Sequence, residues 1–205
     1  EAALEVRAPL KASKAEIERF ITAKEHWIQR SIRSSLERLE KKAQFRLAYG
    51  KYLTLRGAEY PIVPVDGSEA YWERDRFCFP RGLTPEQIKR RAAQLYRLLA
   101  RDYLTVRAKE LAGKMNVMPA MIKITSAKTR WGSCSARGNV NYSWRLIIAG
   151  DQAIDYVIVH ELAHLKEMNH SGRFWAIVEA AFPDYREQHR ELRLLQRRLE
   201  EEGWD

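Results

Sequence analysis

The chain has 205 residues, of which 45% are hydrophobic and 31% are charged, and its formal net charge is +9. This composition allows a hydrophobic core for one or two domains and excludes a multi-spanning membrane protein and a wholly disordered chain. Two cysteines, Cys78 and Cys134, are too few for a disulfide framework or a four-thiolate zinc site. Because the sequence shows no signal-peptide core and no apolar run of about 18 residues, we expect a soluble cytoplasmic protein.

The N-terminal part predicts one short and one long amphipathic helix. Ser13 and Thr22 each precede a glutamate by three residues, which is the spacing of a helix-initiating capping box. Further along, residues 52–63 predict a strand pair around Gly57, and residues 71–79 predict another extended stretch. The apolar residues at helical spacing are Ile17, Phe20 and Ile21, then Trp27, Ile28, Ile32, Leu36 and Leu39.

The C-terminal part predicts a long helix, two strands and three further helices. Thr84, followed by a proline, begins a helix that runs to about Lys114. Strands over about residues 122–134 and 139–148, with a turn at 135–138, predict an antiparallel hairpin. The further helices are predicted from about residue 152 to 166, from Ser171 to the break at Pro183, and from 184 to 202.

The most informative motif is His160-Glu161-Leu-Ala-His164, in a helical stretch that is apolar nearly all round. Residues four apart lie on one face of a helix, so both imidazoles can bind a single metal ion. The glutamate between them lies beside the metal, where its carboxylate can take a proton from a metal-bound water. A pair of hydrogen-bonded core histidines is the alternative. Metal binding explains better why three polar groups occupy an apolar helix.

The third metal ligand is predicted to be His170. A catalytic zinc ion usually has three protein ligands and a water molecule. His170 follows a predicted helix end at Asn169, a residue type that tolerates the left-handed backbone needed to turn the chain toward the metal. Glu179 is the second candidate and His189 the third. The alternative role for His170 is a cap at the start of the next helix.

Four segments of the sequence resemble a known family. The segments are Arg130-Trp-Gly-Ser-Cys-Ser135, Gly138-Asn-Val-Asn-Tyr-Ser-Trp-Arg-Leu146, His160-Glu-Leu-Ala-His164 and Asn169-His-Ser-Gly-Arg-Phe-Trp175. Together they resemble the YgjP-like metallopeptidase family, a relative of the SprT-like and WLM zinc proteases. The resemblance implies one Zn ion on His160, His164 and His170, with Glu161 as the general base. It also implies a minimal zincin-like domain, in which a small sheet packs against a long helix and the HExxH active-site helix.

The elements and the resemblance together predict an α+β fold with a small antiparallel sheet. Residues 1–80 are predicted to form an N-terminal helical and β-hairpin region. Residues 81–205 are predicted to form the zincin-like metallohydrolase domain, and we expect the two parts to make one compact unit.

The predicted hairpin beside the metal helix supplies three candidate substrate-binding residues, Arg130, Trp131 and Arg145. Zincin-like enzymes pair an extended substrate with an edge strand, which is a form of strand addition. The arginines can stabilise a carboxylate, a phosphate or a developing oxyanion. The alternative is that all three residues serve packing and ion pairing.

We therefore predict a zinc-dependent metallohydrolase, in the first place a metallopeptidase that uses a metal-bound water activated by Glu161. Two further hypotheses keep the metal centre: a nucleoside triphosphate pyrophosphohydrolase, whose basic strands hold the phosphates, and a DNA-associated protease. The sequence has no glycine-rich phosphate loop and no cluster of acidic magnesium ligands near the histidines, which argues against the nucleotide substrate.

The positive charge is distributed unevenly along the chain. Residues 101–150 contain nine Lys or Arg against two Asp or Glu, whereas residues 151–205 contain seven against twelve. The excess lies in the long helix and the hairpin on the predicted substrate side. This distribution favours an anionic substrate such as a nucleotide and adds nucleic acid as a candidate partner, but it does not displace the polypeptide as the first expected substrate. No membrane partner is expected.

Overall fold

A computed structural model describes residues 5–204. They form two compact units, of which one comprises the described residues up to Phe45 together with Arg198–Trp204, and the other comprises Arg46–Arg197. Six α-helices and two small sheets confirm the predicted α+β class for this part of the chain. None of the described helices combines the length and the hydropathy needed to cross a bilayer.

The first unit contains helices α1 (Lys14–Ala23) and α2 (Glu25–Gln44). The capping box predicted at Ser13 is present, because its hydroxyl accepts from the amide of Glu16 while the Glu16 carboxylate accepts from the amide of Ser13. The capping box predicted at Thr22 is wrong. Thr22 still lies inside α1, and its hydroxyl donates to a backbone carbonyl one turn earlier. Neither helix has a buried residue.

The second unit begins with a four-stranded sheet in the order β1-β2-β4-β3. The pair β1–β2 is the antiparallel pair predicted around Gly57, whereas β2 and β4 run parallel. The stretch predicted over 71–79 is two strands, since the chain turns at Arg74, which has a φ of 51°. The strands are β1 (Tyr52–Leu55), β2 (Ala58–Val65), β3 (Tyr71–Glu73) and β4 (Arg76–Pro80). They belong to the same unit as the HExxH residues, and the division of the chain at residue 80 stays a prediction.

Helix α3 (Pro85–Lys114) is the predicted long helix, with the predicted start and end. The hydroxyl of Thr84 accepts from the amide of Gln87, and the Gln87 side chain accepts from the amide of Thr84. Pro85 fits the first helical position because its missing N–H would have no partner there. Small and apolar residues of α3 face the interior of the unit; they include Ala92, Tyr96, Ala100, Leu104 and Ala108.

The second sheet has the order β5-β7-β6. Its strands are β5 (Met121–Thr125), β6 (Gly132–Cys134) and β7 (Asn139–Ser143). The strand predicted over 122–134 is interrupted by the loop 126–131, and only β6 forms the predicted antiparallel pair with β7. Strand β5 pairs with β7 in parallel, so the sheet is mixed rather than antiparallel. The buried central strand β7 thereby gains a neighbour on each side.

The strand predicted over 139–148 ends at Ser143, and Trp144–Ile148 form a buried 3-10 helix. A strand with one exposed face cannot bury five successive side chains, whereas a helical turn surrounded by other elements can. The Ser143 hydroxyl accepts from the amide of Arg145 and so caps this turn. The remaining helices lie close to their predicted bounds; they are α4 (Asp151–Ala163), α5 (Gly172–Ala181) and α6 (Tyr185–Glu202).

Candidate metal centre

Helix α4 carries the HExxH residues at its C-terminal end. His160 and Glu161 lie in its last turn, and His164 is the residue at which the helix ends. The side chains around them are almost completely buried; they include Ile154, Ile158, Val159, Leu162 and Ala163. The packing of an apolar helix therefore fixes the position of these three polar side chains.

Ion pairs hold the first half of α4. Asp155 accepts hydrogen bonds from two guanidinium nitrogens of Arg107 on α3, at 2.7 and 2.5 Å. Asp151 accepts in the same bidentate manner from Arg56, at 2.6 Å for each bond. Planar bidentate pairs fix orientation as well as distance. The helix is therefore held at its start by side chains and at its end by core packing.

The structure brings His160, His164 and His170 together. One ring nitrogen of each lies within 4.8 Å of the others, and the Nε2 atoms of His160 and His170 are 3.1 Å apart. His170 lies in the connection between α4 and α5, which turns without a positive φ at Asn169. The cap of α5 is Ser171, whose hydroxyl accepts from the amide of Phe174, so His170 is left to face the other two rings.

Of the other candidate ligands, neither belongs to this cluster. Glu179 is exposed on α5, whereas His189 on α6 lines the cavity beside the histidines.

The ring of Phe174 packs against all three histidines. Its centroid is 4.9 Å from that of His160, 4.4 Å from that of His164 and 4.7 Å from that of His170. Phe174 is fully buried. An apolar ring of this kind behind the imidazoles restricts their orientations and excludes water from that side.

The protonation of the histidines suits a metal ion. Burial, together with the neighbouring His164 and His170, lowers the pKa of His160 to about 4. Burial also lowers the pKa of His164. Both rings are therefore neutral at pH 7, which is the form that binds metals. The Nδ1 atom of His164 lies 3.2 Å from the carbonyl oxygen of Glu167, a contact that leaves Nε2 available as a ligand.

The Glu161 carboxyl group is buried beside the histidines. The residue is 7% exposed, and burial raises the pKa of its carboxyl group to about 7, while the positive charge of Arg130 acts in the opposite direction. Within residues 5–204, no hydrogen bond or ion pair to this carboxylate occurs. Such a group holds and releases a proton near neutral pH.

A cavity of about 490 Å³ lies against this centre. Of the predicted substrate-binding residues, Arg130 and Trp131 line it, just ahead of strand β6. Helices α4, α5 and α6 also contribute lining residues. The residues that line the cavity include Gly132, Tyr156, His160, Glu161, His170, Trp175, His189 and Arg193.

Arg145 lies elsewhere and fits the packing alternative. It is 3% exposed, and its Nη1 atom donates to the carbonyls of Ser126 and Ala127 at 3.1 and 3.2 Å. Its guanidinium group lies over the ring of Trp144, 4.5 Å from the centroid. The buried 3-10 turn draws Arg145 inward, where backbone carbonyls satisfy its charge.

Sequence reasoning missed Gly132 as a residue of the site. A side-chain carbon at this position would overlap the carboxylate of Glu161. The available signal was the glycine itself, because a glycine inside a strand often marks the close approach of another group.

Comparison with known proteins gives one family, and two metallopeptidase zymogens are among the similar solved structures. A family model described as YgjP-like, metallopeptidase domain, matches residues 1–194. The metallopeptidase zymogen abylysin of Pyrococcus abyssi is 24% identical, with a TM-score of 0.39, over 45% of this chain and 91% of that one. The metallopeptidase zymogen jannalysin of Methanocaldococcus jannaschii is 21% identical, with a TM-score of 0.39, over 45% of this chain and 94% of that one. No curated protein matches the chain.

Proposed function

Because the chain belongs to the YgjP-like family of metallopeptidase domains, we propose that it hydrolyses peptide bonds at a metal centre formed by His160, His164 and His170. The family makes the protein a metal-dependent hydrolase. The main observation behind the proposed site is that one ring nitrogen from each of three histidines lies within 4.8 Å of the others. Next to them lies a buried carboxylate with no hydrogen-bond or ion-pair partner in the described chain.

We propose zinc as the metal. Three nitrogen ligands that leave one position open are typical of catalytic zinc sites. A zinc ion bound there would polarise the carbonyl group of the substrate and lower the pKa of the attacking water. His160 and His164 would hold it from the end of α4, and His170 would hold it from the following connection.

In this mechanism Glu161 moves the proton. Its carboxylate takes a proton from the attacking water and then gives that proton to the nitrogen of the leaving amine, so one group serves both steps. Its position one residue after His160 and its burial support this role. Burial also keeps bulk water from competing for the carboxylate.

The cavity wall formed by Arg130 and Trp131 is the proposed substrate side. An extended polypeptide lying along the edge strand β6 would pass Arg130, whose guanidinium can donate to a substrate carbonyl or carboxylate. The nucleotide and DNA hypotheses gain no support from the family match. The family is described as a metallopeptidase domain, which supports a polypeptide as the substrate.

The test compares the wild type with Glu161→Gln on a fluorescently labelled unfolded polypeptide, with bound metal measured in parallel. We expect about one zinc ion per chain in both proteins, and cleavage at least about a hundredfold slower in the variant. Glu179→Gln, on the exposed face of α5, is the matched control and should cleave like the wild type. Full activity of Glu161→Gln would contradict the mechanism. Turnover of nucleoside triphosphates without peptide cleavage would replace the substrate class.

A further inference from the structure

We propose that Gly132 is a positioning residue for Glu161, in that the missing side chain at residue 132 creates the space which the Glu161 carboxyl group occupies. Gly132 begins strand β6, and Glu161 lies in the last turn of α4. The inference rests on the proposed function, because it assigns a purpose to the exact placement of that carboxylate.

The distances between the two residues carry the inference. A Cβ atom added to Gly132 would lie 2.5 Å from Cγ, 2.7 Å from Oε1 and 2.8 Å from Cδ of Glu161. All three distances are shorter than the 3.0 Å below which real Cβ atoms are essentially never found. Any side chain at residue 132 would therefore occupy the place of the carboxyl group.

Backbone conformation does not explain the glycine. Gly132 lies in a regular strand and is absent from the residues of positive φ, unlike Gly57 and Gly138. An alanine could adopt its backbone angles without strain. Gly113 and Gly172 also have an ordinary φ, but a Cβ atom added to either would meet nothing within 4 Å. Close approach to Glu161 is thus the feature that distinguishes Gly132 from them.

Packing alone sets the position of the carboxylate. Glu161 is buried, and its oxygens have no hydrogen-bond or ion-pair partner in the described part of the chain. Strand β6 is held on its other side, since Gly132 pairs with Tyr142 of β7 and the amide of Ser143 donates to the carbonyl of Trp131 at 2.8 Å. The backbone at residue 132 therefore acts as a fixed wall against which the Glu161 carboxylate packs.

A methyl group at residue 132 should move the carboxylate rather than the strand. The atoms that it would meet are Cγ, Cδ and Oε1 of one side chain, so rotation of Glu161 about its side-chain bonds can relieve the overlap. The carboxylate then leaves its place beside the histidines. A displacement on the order of 1 Å at a reacting group can lower a rate about a hundredfold.

The first experiment compares Gly132→Ala with the control Gly113→Ala on the labelled polypeptide. For Gly132→Ala we expect kcat to fall about a hundredfold, KM to stay within about threefold, and one metal ion per chain to remain bound. Gly113→Ala should leave all three unchanged. An unchanged kcat of Gly132→Ala would overturn the proposal, as would a loss of the metal, because the predicted contact involves the carboxylate and not the imidazoles.

The second experiment asks whether Gly132 acts through Glu161. If it does, Gly132→Ala lowers the urea midpoint or the activity when it is introduced into the wild type. It should cause no further loss in Glu161→Ala, which lacks the colliding atoms, or in Glu161→Gln, which lacks the base. The midpoint of Gly132→Ala/Glu161→Ala should therefore equal that of Glu161→Ala, and Gly132→Ala/Glu161→Gln should cleave no more slowly than Glu161→Gln. This cycle holds even if Gly132→Ala folds poorly. Additive losses in both backgrounds would overturn the proposal.

The two proposals fail in different ways. If Glu161→Gln cleaves like the wild type, the proposed mechanism is wrong whatever Gly132→Ala does. If Glu161→Gln is inactive and Gly132→Ala is fully active, the mechanism stands and the positioning role of Gly132 is wrong.

Discussion

Helices α2 and α4 combine polar and apolar residues in opposite ways. Helix α2 is largely polar and has no buried residue; its apolar side chains Trp27, Ile32, Leu36 and Leu39 are 62%, 37%, 47% and 52% exposed. Helix α4 is largely apolar and buried, and the polar residues of its last turn, His160 and Glu161, belong to the candidate metal centre. Burial changes the chemistry of a polar group, because it shifts protonation and removes competing water. Exposure of an apolar side chain creates no reactive group. Of these two helices, therefore, only α4 has the residues of a reactive site.

The largest effect should follow from removing an imidazole from α4. His164→Ala should lower the affinity for zinc by at least about a hundredfold and abolish peptide cleavage, because two ligands hold the ion poorly. Competition with a zinc-binding dye measures the affinity. The control is His26→Ala in α2, which removes the same side chain from the exposed helix and should change neither quantity. If both variants kept the metal, the ligand set would be wrong.

A deletion in the core should come next in size. Ile154 of α4 is fully buried, and Ile154→Ala should lower the free energy of unfolding by about 2–5 kcal/mol through lost apolar burial and a residual cavity. Urea denaturation followed by circular dichroism gives the value. A loss below about 1 kcal/mol would mean that α4 is less tightly packed than its burial indicates.

The exposed first turn of α4 should give a smaller, pH-dependent effect. The hydrogen bonds from Arg56 hold the pKa of Asp151 below its ordinary value. A lowered carboxyl pKa adds stability above the unfolded pKa of about 4, and that stability is lost as the pH falls below it. Arg56→Gln should therefore be less stable than the wild type by under about 1 kcal/mol at pH 7, with the difference shrinking in urea melts below pH 4. A difference independent of pH would contradict the assignment to this pair.

The smallest effect belongs to the apolar side chains of α2. Leu39→Ala removes about as much apolar side chain as Ile154→Ala, yet it should change the free energy of unfolding by only about 0.5 kcal/mol or less, because Leu39 is already half exposed. The same urea series measures both. A loss as large as that of Ile154→Ala would show that α2 is buried in solution.

The helices and the histidine cluster were predictable from the sequence because their signals are local. The Thr84 cap, the start of α5 at Ser171 and the HExxH spacing each involve residues within a few positions of one another. The parallel pairing of β5 with β7 was not predictable, since it depends on which strand becomes the buried centre of the sheet.

The site shows the same division between local and non-local information. Arg130 and Arg145 each stand next to a tryptophan in the sequence, yet one lines the cavity and the other is buried in a 3-10 turn. Their sequence neighbours do not distinguish them. The contact of Gly132 with Glu161 joins residues 29 positions apart, and only the packing of β6 on α4 brings it about.

The hairpin β1–β2 bears on how far the protein can be shortened. The amides of Arg56 and Gly57 donate to the carbonyls of Ile147 and Ile148, and the backbone of Gly57 approaches that of Gly150 so closely that a Cβ atom would lie 3.0 Å from its Cα. The hairpin thus holds the backbone in place just before the start of α4. A fragment starting at residue 81 would keep every proposed ligand but would lose these contacts. We expect the shortest active fragment to begin upstream of β1.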